Sequence, residues 1–222
     1  MRHLFLVGRL AEYAPSIANE SAKHDDILQF DIVESYLNNT YKVIALYQWI
    51  SRWCPSSKFL LKIDGDVYIN LERFKAQIEN FTTSSSFSYS ALGTLERRPR
   101  AKRNASAKQF VPCDIFPFYK FSFEYLYGYA SLISIPLLID VHTLAVCLRG
   151  IFLDDVYLMG YIPHILGASL KNWVGLNSRI IVRRPKILTW STISQYSITP
   201  ELSVEEIYLV HQEKKAPTNI TT

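Results

Sequence analysis

Cysteine is scarce and unpatterned: Cys54, Cys113 and Cys147 are an odd number without the paired spacing of a structural zinc site. A disulfide-built scaffold is excluded, and either one bridge with a free thiol or no bridge at all remains open. Long apolar runs are also missing. In the second half of the chain, no stretch free of Asp, Glu, Lys and Arg is longer than Tyr125 to Ile139. That run falls short of the ~20 residues a membrane-spanning helix needs, and Gly128 and Pro136 interrupt it. The opening MRHLFLVG is too short in its apolar part for a signal peptide, so membrane attachment is expected only through an anchor absent from this sequence. There is no internal repeat, and low complexity is confined to TTSSSFSYS at 82–90. Net charge is modest at +4, with much of the basic excess in ERRPRAKR, Glu96 to Arg103. That run reads as a solvated loop or an anionic-ligand contact. No zinc, RNA-binding or helix-turn-helix pattern accompanies it, so nucleic acid is not an expected partner.

What is present is core material. Hydrophobic residues make up 49% of the 222, with 14 Tyr, 12 Phe and 4 Trp, enough for one domain with a substantial interior. Five of the nine asparagines begin N-x-[S/T]: Asn19, Asn38, Asn80, Asn104 and Asn219. Chance supplies roughly one, so these are expected glycosylation acceptors and point to the secretory lumen.

Strand and helix patterns alternate along the chain. Residues 3–8, 26–32, 58–63, 88–95 and 130–135 read as strands. Helices are expected over 40–53, where Val43, Leu46, Tyr47, Ile50 and Trp53 share a face, and over 71–80, 136–149 and 154–167. The order predicts an α/β fold with a mainly parallel central sheet, helices on both faces and ligands beyond the carboxyl ends of the strands.

At one such end stand Asp64 and Asp66, directly after the apolar run 58–63 and separated by Gly65. Two carboxylates at i and i+2 repel unless a cation lies near them, and oxygen ligands of this kind suit Mn²⁺ or Mg²⁺. Gly65 admits a close approach of backbone to ligand, although Asp-Gly is also common in plain surface turns. Asp154 and Asp155 are read on their own as acids at the start of a helix.

The stretch 26–70, DILQFDIVESYLNNTYKVIALYQWISRWCPSSKFLLKIDGDVYIN, resembles the core of the β-1,3-galactosyltransferase family, glycosyltransferase family 31. Matching positions include Asp26, Gln29, Asp31, Tyr36, Asn38, Thr40, Trp49, Cys54, Pro55, Lys62, Asp64, Asp66 and Asn70. Further on, KQFVP (108–112), FEYLYGYASLIS (123–134) and LDDVYLMG (153–160) are similar to later family segments in the same order. The chain departs at Gly65, where the family has a central Asp. It departs also at Gln109 for Trp, Ala130 for Gly, Ser131 for Tyr, Asp154 for Glu and Ser191 for His.

The resemblance implies a nucleotide-sugar-binding glycosyltransferase A-type fold, a UDP-sugar donor, Mn²⁺ or Mg²⁺, and inverting transfer of galactose or N-acetylglucosamine to a glycan or glycoprotein hydroxyl in β-1,3 linkage. It implies Asp155 as the catalytic base, Asp66 and Asp64 at the metal, and Asp64, Lys108, Tyr125, Gly128 and Asp154 at the substrates. Residues 1–200 are expected to form one catalytic domain lacking the family's first strand segment, with 201–222 a tail. The expected setting is the Golgi lumen, the full-length form being a type II membrane protein. A second reading is an inactive relative that keeps the fold and binds glycan or a partner.

Overall fold

In the computed structural model, residues 3–82, 87–148, 150–173, 198–199 and 202–215 are described. The chain opens with a strand–helix–strand unit: β1 (Phe5–Arg9), α1 (Ala14–His24) and β2 (Ile27–Val33), the two strands paired in parallel from Phe5 opposite Ile27. Pro15 sits in the first turn of α1, and Asp25, in the left-handed region at φ 52°, ends it. A 3₁₀ turn (Tyr36–Asn38), whose last N–H is bonded by Ser35 Oγ, leads into α2 (Asn39–Trp53).

The central sheet has four strands in the order β3 (Phe59–Ile63), β6 (Tyr125–Ser134), β5 (Ser90–Glu96) and β7 (Ser169–Asn172). A small antiparallel pair joins β4 (Tyr68–Ile69) to β8 (Ile198–Thr199). The helices are completed by α3 (Leu71–Thr82), α4 (Ile135–Ala145) and a helical run of α5 (Asp154–Val156), a π-helical segment (Tyr157–Tyr161) and α6 (Ile162–Ile165). The last helix among the described residues is α7 (Val204–Lys215).

Strand alternation distributes the side chains to two cores. Leu60, Ala91, Ile133 and Leu170 face α2, α4 and the helical run, where Tyr47, Leu138, Val141 and Ile162 are buried. Leu61, Leu92 and Leu132 face the other way, toward Phe74 and Ile78 of α3 and Trp173. Phe74 and Trp173 pack at 5.2 Å between ring centroids. Helices therefore cover both faces, as the α/β reading requires.

The sheet itself is mixed. In it β5 and β7 run parallel, whereas β6 is antiparallel to both β3 and β5; β1 and β2 form a separate parallel pair. Expecting a mainly parallel centre assumes a helical crossover between consecutive strands. Between β5 and β6 there is none: residues 97–124 leave the sheet at Glu96 and return at Tyr125, its direct partner, which forces the second strand to run back along the first. The pairing is irregular between Gly93, opposite Ser131, and Leu95, opposite Leu126, so residues 127–130 of β6 bulge against Thr94 alone.

Residues 201–222, expected as a tail, include α7, and Leu202 and Val210 pack against Tyr68 beside it. Helix α4 stops at Ala145 rather than 149. All three cysteines are free thiols. Among the described residues, no helix is long and apolar enough to cross a membrane.

Candidate functional site

Three segments meet at the end of β3. The first is the strand's own exit. By alternation Lys62 shares the face of Leu60, so a charged side chain enters a mainly apolar side of the sheet, opposite Ser131. A buried ammonium needs partners. Lys62 Nζ donates to Asp64 Oδ1 at 2.8 Å and to the carbonyl of Gly128 at 2.8 Å, and lies 3.6 Å from Asp154 Oδ2. Burial works against its charge, but Asp154 and Asp64 outweigh burial and hold its pKa above the ordinary lysine value.

The second segment is the start of the helical run, held by the first turn of α2. Asn39 Nδ2 donates to Asp154 Oδ1 at 2.9 Å, and Thr40 Oγ1 donates to the Phe152 carbonyl at 2.6 Å. Both carboxylate oxygens of Asp154 therefore have protein partners. Asp155 Oδ1 accepts from the Val156 N–H at 2.8 Å, and the backbone of Gly128 also bonds to this carboxylate. Burial, with the charge of Asp154, pushes the Asp155 carboxyl up to about 6, against the opposing pull of the two backbone bonds and Lys62.

The third is the bulge of β6. Gly128 is gripped from both sides, its carbonyl by Lys62 and its backbone by Asp155, and a Cβ there would lie 3.3 Å from Asp155 Cβ. Gly128→Ala is expected to displace the Asp155 side chain by a few tenths of an ångström and to destabilise the fold by about 1–3 kcal/mol, read from urea unfolding. An unchanged midpoint would show that Asp155 yields freely. The Asp64 N–H bonds to the Tyr129 carbonyl at 2.9 Å, so the bulge is tied to the acidic turn as well. Tyr127 donates to Glu96 Oε2 at 2.6 Å and meets Tyr125 edge-on at 5.4 Å. Burial raises the hydroxyl pKa of both tyrosines above the ordinary range, joined at Tyr125 by the charge of Asp155 and at Tyr127 by its bond to Glu96.

Tyr36 closes the group. Burial and the charges of Asp155, Asp154 and Asp64 push its hydroxyl up to about 12, and Lys108 Nζ stands 4.4 Å from its ring centroid. Asp64, Asp154, Asp155, Gly128, Tyr125 and Lys108 are thus brought into one neighbourhood.

Asp66 stands in the exposed turn with Gly65. Its backbone carbonyl accepts from the Leu202 N–H at 2.8 Å. Gly65 has nothing within 4 Å of a Cβ built on it, so neither packing nor a left-handed backbone demands glycine there. The donor set fits a hard divalent ion: Asp66 presents an exposed carboxylate, and Asp64 keeps Oδ2 clear of the Lys62 bond. Among the described residues no three His, Cys, Asp or Glu group as a metal site.

Of the asparagines, Asn19 on α1 and Asn104 are exposed. Asn104 Oδ1 accepts from the Ser106 N–H, and Asn38 Nδ2 donates to the Val33 carbonyl. Asn80 lies within α3, while Asn219 and Ser191 fall outside the described residues.

Lys62, Asn39 and Tyr36 were not assigned roles from sequence. The signal for Lys62 was visible, since a lysine inside FLLKI has to be neutralised. Asn39 and Thr40 read only as a helix start.

An α/β sheet with an acidic turn at a strand end and a second acidic pair facing it has the form of a glycosyltransferase domain. Residues 1–173 match the galactosyltransferase family, and the chain belongs to it. It is 28% identical over 160 residues to mouse (Mus musculus) UDP-GalNAc:beta-1,3-N-acetylgalactosaminyltransferase 1, covering 69% of this chain and 46% of that protein. It is 23% identical over 159 residues to Xenopus laevis lactosylceramide 1,3-N-acetyl-beta-D-glucosaminyltransferase A, covering 68% and 41%. Mouse N-acetyllactosaminide beta-1,3-N-acetylglucosaminyltransferase 4 is 30% identical over 118 residues, covering 52% and 33%. The matches span less than half the length of these relatives.

Proposed function

We propose that this chain carries the catalytic site of an inverting β-1,3-hexosyltransferase that moves a sugar from a UDP-sugar to a glycan hydroxyl in the Golgi lumen. The observation that carries the reading is the Lys62 bridge, which joins the acidic turn to the Asp154–Asp155 pair across the β6 bulge. The relatives' names support the chemistry: one is a UDP-GalNAc transferase and all three form 1,3 linkages.

In the proposed reaction the acceptor oxygen bonds to the anomeric carbon from the face opposite UDP, the carbon–oxygen bond to UDP breaks, and UDP departs with the electron pair. Asp155 takes the proton of the acceptor hydroxyl. With a pKa near 6 it is ionised at neutral pH yet basic enough to accept it. Asp66 and Asp64 would hold Mn²⁺ or Mg²⁺, which when bound offsets the negative charge of the diphosphate. Tyr125, Tyr127 and Tyr36 offer rings and hydroxyls to the sugars, and Lys108 offers a charge beside them. Asp154, with both oxygens engaged, acts on the acceptor mainly by fixing its neighbour Asp155.

Calorimetric titration of UDP with and without Mn²⁺ tests the donor side. Binding is expected only with the metal, and Asp66→Ala should weaken it at least ~10-fold and abolish turnover while leaving the unfolding midpoint unchanged. Full turnover by that variant would remove Asp66 from the site. Absence of UDP binding in either condition would favour the second reading, an inactive relative that binds glycan or a partner.

A further inference from the structure

Glu96, a carboxylate at the foot of the β6 bulge, takes no part in the Lys62 network or in the proposed reaction. It is the last residue of β5 and pairs directly with Tyr125. Three rings follow one another from there along β6. Tyr125 meets Tyr127 edge-on at 5.4 Å, and Tyr127 stacks on Tyr129 at 6.2 Å with the ring planes 20° apart. All three are half-buried, which leaves part of each residue accessible to a ligand. The row adjoins the base: Gly128, between Tyr127 and Tyr129, bonds through its backbone to Asp155, and the charge of Asp155 reaches both Tyr125 and Tyr127.

Glu96 is held firmly but is not used up. The Tyr127 hydroxyl donates to Oε2 at 2.6 Å, and the Arg98 N–H donates to Oε1 at 3.0 Å. A carboxylate has roughly four acceptor positions, so about half of its capacity stays open. Among the described residues no Lys or Arg comes within ion-pair distance of it, although Arg97, Arg98 and Arg100 follow directly. Nor is the Tyr127 bond needed to close the 97–124 excursion, because backbone pairing of Glu96 with Tyr125 already does so. The result is an aromatic ring with a charged acceptor fixed at its edge. A pyranose has the complementary parts, an apolar C–H face and a rim of hydroxyl donors. The donor's diphosphate fits less well, since Glu96 and Asp155 are both negative and a neutral sugar meets no such repulsion.

We propose that Tyr127 and Glu96 form the acceptor-sugar subsite: the ring supports the C–H face of a hexopyranose, and Glu96 accepts from a hydroxyl at C2 or C4, beside the C3 hydroxyl whose proton Asp155 takes. The inference rests on the transferase reading, whose 1,3 linkage makes C3 the reacting position. Both residues act on specificity. A site built to bond a hydroxyl discriminates strongly against the analogue that lacks it, while the chemistry stays with Asp155.

The test is saturation-transfer NMR of methyl β-D-galactopyranoside and methyl β-D-glucopyranoside, each also as its 2-deoxy and 4-deoxy analogue, with UDP and Mn²⁺ present and absent. The parent should bind at least one of the two hexosides, and loss of one of the two hydroxyls should weaken that binding about tenfold. Glu96→Gln keeps the shape and still accepts from Tyr127, so circular dichroism and Tm should be unchanged. It should weaken the full hexoside about tenfold yet bind the weakened deoxy analogue as the parent does. Tyr127→Leu should weaken hexoside and analogues alike. UDP affinity by calorimetry should be the same in parent and variants. Variants that bind hexoside like the parent, a Glu96→Gln loss equal for full and deoxy sugars, or a loss of UDP affinity as large as that of hexoside would overturn the proposal. Binding of UDP but of neither hexoside would sink this inference alone. Hexoside binding that depends on both residues, without UDP binding, would sink the transferase reading and leave the sugar subsite standing.

Discussion

Asp155→Asn is expected to lower sugar transfer by about 10²–10⁴-fold, the usual contribution of a positioned base, while making the folded chain more stable at neutral pH. The two effects have one origin. The carboxyl is held near 6 because the fold disfavours its charge, through burial first and Asp154 second. A carboxyl raised in this way contributes stability that is fully present below its ordinary value of 3.8 and is lost as pH rises through about 6. The asparagine has no charge to bury and can still accept from Val156 and Gly128. Above pH ~7 the variant should therefore exceed the parent by on the order of 2–3 kcal/mol, with the gap closing toward pH 4. In the parent, kcat/KM should fall about tenfold per unit below pH 6. Unfolding curves at several pH values and an acceptor-dependent rate assay read these effects separately. Undiminished turnover would exclude Asp155 as the base, and a stability gap independent of pH would contradict the buried-charge account.

Lys62→Met should have the largest effect on folding, a loss of about 3–5 kcal/mol measured by urea unfolding. Methionine fills the same channel but leaves Asp64 and Asp154 without their shared cation and the Gly128 carbonyl without its donor. Because the lysine pKa is raised, its contribution is fully present below about pH 10 and disappears only as pH climbs through the folded value. Acid therefore does not remove it. The double variant Lys62→Met/Asp154→Asn should recover part of the loss, since it deletes one stranded charge along with its partner. Asp155 should also titrate higher in Lys62→Met, because Lys62 is one of the groups pulling it down. A change below ~1 kcal/mol would mean that water already solvates these carboxylates.

Much of this architecture is legible in the residues. The 3.6-residue pattern of α2 and the apolar runs of β3 and β5 identify those elements, because each must bury a face. Helix α1 leaves no such pattern, because it has no buried residue to impose a periodicity. Strands β4 and β8 have two residues each, too few for alternation to show. The direction of β6 was missed because antiparallel return is decided by where the 97–124 excursion ends, a tertiary fact. Its start at Tyr125 was hidden by the bulge, which breaks the alternation around Gly128. In the site, acids at strand and helix ends were visible by position, and the resemblance attached roles to them. The Asn39 and Thr40 contacts were not visible, since each spans more than 100 residues of chain.

The direct pairing of Glu96 with Tyr125 has a further consequence. An excursion whose two ends are neighbours can change in length without shifting β5 and β6, but Ala101, Val111, Phe121 and Phe123 pack it against Leu153 and Val156, which flank the two acids. Insertions and deletions should therefore be tolerated at its outer turns, whereas a cavity cut at Val111 or Phe121 should loosen the start of the helical run.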